Sequence, residues 1–137
     1  MFAYDDAITE RYPTIRARVI HTTGHSNGPS PPELPDEYRA ELRAASERLE
    51  ATAIADLPQV AAWRRVFSEF DTRPTRCLNT AEALLRRLSQ RGDILTVNAL
   101  VDIGNLVSLR HAMPVAVFDR ANITGTTTPP GPPIRPG

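Results

Sequence analysis

The sequence predicts an α+β fold in which helices pack on a small, incomplete mixed β-sheet. Three observations carry that expectation. Apolar residues recur at three- and four-residue steps in four separate stretches, the period of an amphipathic helix. Residues 14–22 alternate in type and residues 115–119 form a short apolar run, the two patterns of strands. Two strands alone make a poor sheet, because three or more are usually needed. The sheet is therefore expected to be incomplete. One domain spans residues 1–125, and 126–137 form a disordered tail.

The elements follow in order. In TIRARVIHT, 14–22, Ile15, Ala17, Val19 and His21 share one face and Arg16, Arg18 and Ile20 the other. The loop GHSNGPSPPELP follows, dense in turn residues. A helix over about 36–53 carries the stripe Tyr38, Leu42, Ala45 and Leu49, with Asp36 and Glu37 in its first turn, where the helix dipole favours acids. A second helix begins near Pro58, a good first-turn residue, with the stripe Val60, Trp63, Phe67 and Phe70. Residues 71–79 connect, with a short strand at 76–78. Asn79 or Thr80 caps a third helix with the stripe Ala81, Leu84, Leu85 and Leu88, and Gly92 ends it. Asn98 caps a fourth helix over 99–111, stopped by Pro114. VAVFD, 115–119, is a buried strand. Five Pro among the last nine residues mark the tail as disordered.

Composition bounds the function. A chain of 137 residues with no apolar run near the roughly 20 of a membrane span supports one core and no membrane anchor. The polar, acidic start is no signal peptide, and a single cysteine, Cys77, forms no internal disulfide; both fit a reducing cytoplasm. Every one of the 16 cations is Arg. Genomic composition accounts for that on most surfaces, while the planar guanidinium also suits phosphate. The net charge of zero argues against tight, sequence-independent nucleic-acid binding and leaves room for a local basic patch.

Several motifs carry chemistry on paper. Gly24-His25-Ser26-Asn27-Gly28 matches a nucleophile elbow, but the prolines after it forbid the helix that the elbow needs. It reads as a turn. His21 and His25 lie in strand and loop with no third ligand, so no metal or cofactor is expected. Cys77 reads as a small core residue. Arg86, Arg87 and Arg91 cluster late in the third helix, where the dipole favours cations, and also form a candidate phosphate patch. Asp102, Asn105 and Ser108 stand at helical spacing in an apolar segment. Polar groups there need hydrogen-bond partners. They either tie neighbouring loops or line a pocket, and spacing alone leaves both open.

Val101-Asp102-Ile103-Gly104-Asn105, then Pro114, Phe118-Asp119, Ile123 and Gly125, resemble the tRNA-binding and editing module of the bacterial phenylalanyl-tRNA synthetase beta subunit. Upstream, Trp63-Arg64, Pro74 and the Glu82-Leu84-Leu85 helix look like its free-standing relatives. The resemblance spans about residues 10–125 and implies a C-terminally truncated form. It implies an α+β fold whose pocket receives the 3′ end of aminoacyl-tRNA, and hydrolysis of mischarged ester in trans by a positioned water. Asn105 and Asp102 match pocket residues of the family; Ser108 and Ala116 complete the expected lining. Ala116 stands where the synthetase has a His of the editing site. Arg64, Arg65, Arg86 and Arg87 become candidate phosphate contacts, and tRNA or aminoacyl-tRNA the expected partner. The alternative is a non-catalytic ligand- or protein-binding module, or an inactive fragment. The catalytic group and the oligomeric state are left open.

Overall fold

A computed structural model describes residues 3–24, 26–69 and 78–124. Five α-helices occur among them: α1 (Asp6–Arg11), α2 (Leu34–Ala51), α3 (Pro58–Glu69), α4 (Thr80–Arg91) and α5 (Ala99–His111). Single 3-10 turns lie at Ile54–Asp56 and Arg120–Asn122. Helix accounts for 59% of the described residues, with no strand or sheet among them, so the expected α+β class is overturned. The four long helices lie close to where periodicity and caps place them. Phe70, Cys77, His25 and the tail lie outside the described residues.

The expected strands fail for a shared reason. A strand is stable only with a hydrogen-bonded neighbour. Neither 14–22 nor 115–119 forms a ladder among the described residues, and the residues meant to face a core are exposed: Val19, Val117 and Phe118 all reach solvent. Asp119 instead caps the second 3-10 turn, accepting from Ala121 N at 2.9 Å and from Asn122 Nδ2 at 2.8 Å. The expected strand at 76–78 falls mostly outside the described residues.

The chain forms two compact units, residues 1–25 with 118–137, and residues 26–117. The first contains α1, which the sequence reading missed. Asp5 caps it by accepting from Ala7 N at 3.0 Å, and no residue of it is buried. Six residues without an apolar stripe give periodicity nothing to detect.

The second unit holds the core. α5 packs on both α2 and α4, which also touch each other. Leu34, Tyr38, Leu42 and Ala45 of α2, Leu85 and Leu88 of α4, and Leu106 and Leu109 of α5 are buried together, with Val60 of α3, Ile94 and Ala112 completing the cluster. Each such aliphatic side chain contributes about 1.5–3 kcal/mol by leaving water. On α3 itself the rings of Trp63 and Phe67, one turn apart, lie 5.8 Å from each other.

Two buried carboxylates pin the helices. Glu82, in the first turn of α4, is fully buried and receives Arg64 of α3 at 2.5 Å and Arg86, one turn on, at 2.9 Å. Burial alone would raise the Glu82 carboxyl. The hydrogen bonds and charges of Arg64 and Arg86 outweigh it and hold the group below the ordinary value. Glu41 of α2 receives Arg48 at 3.2 Å and Arg110 of α5 at 2.8 Å. Arg48 Nη2 also donates to the Leu109 carbonyl at 2.7 Å, satisfying one of the open carbonyls at the end of α5.

Caps set the ends of α4. Asn79 Oδ1 accepts from Glu82 N at 2.8 Å, and Gly92 closes the helix at φ 73°. α5 ends on Ala112, also left-handed at φ 50°, where a Cβ carries a steric cost that glycine avoids.

Glu82→Gln is expected to lower stability by about 2–3 kcal/mol at pH 7, since it leaves Arg64 and Arg86 without a charged partner; the partial exposure of Arg86 keeps the loss from being larger. Because the Glu82 pKa is lowered on folding, its contribution is fully present above the ordinary value of 4.5 and lost as pH falls through the lower folded value. Urea unfolding of both proteins should therefore converge at acid pH.

Candidate functional site

The N-terminal turn of α5 is closed by the loop that precedes α2. Asn98 Oδ1 accepts from Val101 N at 3.0 Å as the N-cap. The Gly28 carbonyl accepts from Ala99 N at 3.0 Å, and Asn27 Oδ1 takes Leu100 N at 3.4 Å. Amides that every helix leaves open at its start are thus satisfied from a distant loop. Asp102 completes the closure. Its Oδ2 accepts from Ser30 Oγ at 2.5 Å and its Oδ1 from Val97 N at 2.8 Å. The carboxylate is fully buried, in a helical first turn that favours negative charge. Of the two roles left open for Asp102, the geometry shows loop tying. The Gly-x-Ser-x-Gly loop supplies capping atoms, Asn27 and Gly28, followed by Ser30.

The other expected pocket residues lie apart in character. Asn105 is half-buried and approaches the Tyr38 hydroxyl, which forms no well-aligned hydrogen bond. Burial raises the Tyr38 pKa, Asn105 opposes that, and the charges of Asp102 and Asp93 add to it. Ser108 is fully buried and its Oγ has no partner. Ala116 is exposed. A groove of about 180 Å³ at the end of α5, lined by Arg48, Leu49, Leu57, Leu109 and His111, touches none of these four. Among the described residues no cluster of His, Cys, Asp or Glu is placed to hold a metal ion.

The profile of the B3/4 domain matches residues 62–130. The chain belongs to the B3/4 domain family. This domain is found in phenylalanyl-tRNA synthetase beta subunits, which relates the chain to that subunit. No curated protein and no solved structure matches it. The B3/4 match takes in the last two thirds of α3, all of α4 and α5, and Asp102; α2 and the loop bearing Ser30 precede it.

The four candidate phosphate-contact arginines divide into two pairs within the B3/4 match. Arg64 and Arg86 are taken up by Glu82, and hydrogen bonding to that carboxylate raises the Arg64 pKa. Arg65 and Arg87 are exposed and form no ion pair among the described residues. Arg86 stands four residues after Glu82 on one helix, a spacing visible in the sequence, whereas no local signal marks Arg64, which lies 18 residues from Glu82. Ser30 was equally hidden, 72 residues from Asp102. Among the described residues no helix is long and apolar enough to cross a membrane.

A double-mutant cycle tests the closure. Asp102→Asn should cost about 2–3 kcal/mol and Ser30→Ala about 1 kcal/mol, with a coupling of about 1 kcal/mol between them. Additive losses in urea unfolding would show that the two side chains act independently.

Proposed function

We propose that this B3/4 domain is a free-standing module that binds tRNA at its aminoacylated 3′ end. Membership of a family found in phenylalanyl-tRNA synthetase beta subunits carries the reading. Arg65 and Arg87 are the side chains suited to phosphate, since both are exposed and without an acidic partner among the described residues. Asn105, half-buried on α5, is suited to hold the terminal ribose or the amino acid, as its amide both donates and accepts.

A binding role is favoured over ester hydrolysis by two observations. Ala116 carries no acid–base group where the synthetase has a His. Asp102 already accepts from Ser30 and Val97 N and is closed from solvent, so it is poorly placed to activate a water. Any hydrolysis in trans would rest on positioning and oxyanion stabilisation by other groups.

Labelled tRNA titrated at low salt is expected to bind, more tightly when aminoacylated, and to dissociate as salt rises. Arg65→Glu with Arg87→Glu should weaken binding at least tenfold and reduce the salt slope by about one for each arginine, with the melting temperature unchanged. Arg64→Gln should instead lower the melting temperature. Failure to bind tRNA at low salt would refute the reading, and binding insensitive to salt would favour the ligand- or protein-binding alternative. Release of amino acid from mischarged tRNA above the buffer control would restore the hydrolytic reading.

A further inference from the structure

The lining of the groove at the end of α5 divides by chemistry. Leu85 and Leu109 lie fully buried beneath it, and Leu49 and Leu57 are partly buried beside them. Together they make an apolar floor. Arg48, Arg110 and His111 reach solvent along it and make a basic rim. Among the described residues no Asp or Glu lines the groove. Its volume of about 180 Å³ suits a compact apolar body. A leucine-lined cavity of roughly 150 Å³ accepts benzene. An apolar floor under a basic rim is complementary to a molecule with an apolar body and an anionic head.

We propose that this groove binds a small monocarboxylate with a ring-sized apolar body. The rim holds unused donors. A guanidinium carries five N–H groups. Arg48 uses Nη1 and Nη2 on Glu41 and the Leu109 carbonyl. Arg110 uses Nε and Nη2 on Glu41 and Glu37. Arg48 Nε and Arg110 Nη1 therefore donate to nothing among the described residues, and the His111 ring has no hydrogen-bond partner among them either. Even a neutral imidazole carries one N–H. A carboxylate accepts through two oxygens and suits guanidinium donors of this kind.

Charge decides the class of anion. Glu41 is buried and shared by both guanidinium groups, so one positive charge is left without a buried counterpart. Glu37 meets Arg110 from a side chain that is 57% exposed, where water weakens the pair. A single residual charge matches a monoanion. A phosphate dianion exceeds it and would lose hydration over an apolar floor. A helix end repels anions through its open carbonyls, but Arg48 Nη2 covers that of Leu109 at 2.7 Å. None of Arg65, Arg87 and Asn105 lines the groove, so this site and the tRNA reading stand or fall separately.

Benzoate titrated into the full chain, followed by amide chemical shifts in two-dimensional NMR, tests this. Saturable shifts are expected at Leu57, Gln59, His111 and Ala112, with a Kd in the low millimolar range or below. Benzamide keeps the ring and loses the charge, and acetate keeps the charge and loses the ring. Each should bind at least tenfold more weakly than benzoate. His111→Glu places an acid on the rim at an exposed residue whose ring no hydrogen bond holds. It should weaken benzoate at least tenfold and leave benzamide within twofold. Absence of saturation in that range overturns the proposal. So do shifts centred away from the groove, benzamide or acetate matching benzoate, or benzoate binding indifferent to His111→Glu.

Discussion

The closure of α5 by the loop at residues 26–30 is the constraint on which the second unit depends. α5 packs on both α2 and α4, which also touch each other, and carries the larger share of that packing. Asp102 is fully buried, and a buried carboxylate without partners is costly enough to unseat the helix. Ser30 Oγ and Val97 N remove that cost, and in doing so fix two loops against the helix start. Leu106 and Leu109, one and two turns on, then meet the apolar faces of α2 and α4.

The same device recurs at the other helix contacts. Glu82 joins α3 to α4, and Glu41 joins α2 to α5, each through two guanidinium groups. A chain whose only cations are arginines is suited to this. The planar fork can satisfy a carboxylate in a fixed geometry where an ammonium offers a point charge. Arginines that brace the fold are not free to meet phosphate. Arg65 and Arg87, which are exposed, take no part in these braces.

Helix ends were legible because caps are local. Asn79, Gly92, Asn98 and Pro58 act within about four residues of themselves: α3 begins at Pro58, α4 begins after Asn79 and ends at Gly92, and α5 begins after Asn98. Strands were not legible, because a β-branched run at 14–22 or 115–119 becomes a strand only if a partner lies alongside. The polar residues of α5 show the same divide. Their spacing announced that Asp102 and Ser108 needed explanation. Only the fold could show that Asp102 holds a loop while Asn105 faces a tyrosine hydroxyl, since Ser30 and Tyr38 lie far away in sequence.

The family match begins at residue 62, whereas the hydroxyl that meets Asp102 belongs to residue 30. The matched stretch therefore lacks a group that helps to close the start of α5 in this chain. A fragment trimmed to 62–130 would carry α5 with its carboxylate half-partnered, and with Leu109 stripped of the α2 side chains that cover it. Recombinant boundaries, and any fusion that borrows this domain, must reach upstream of Asn27 to keep the helix start closed.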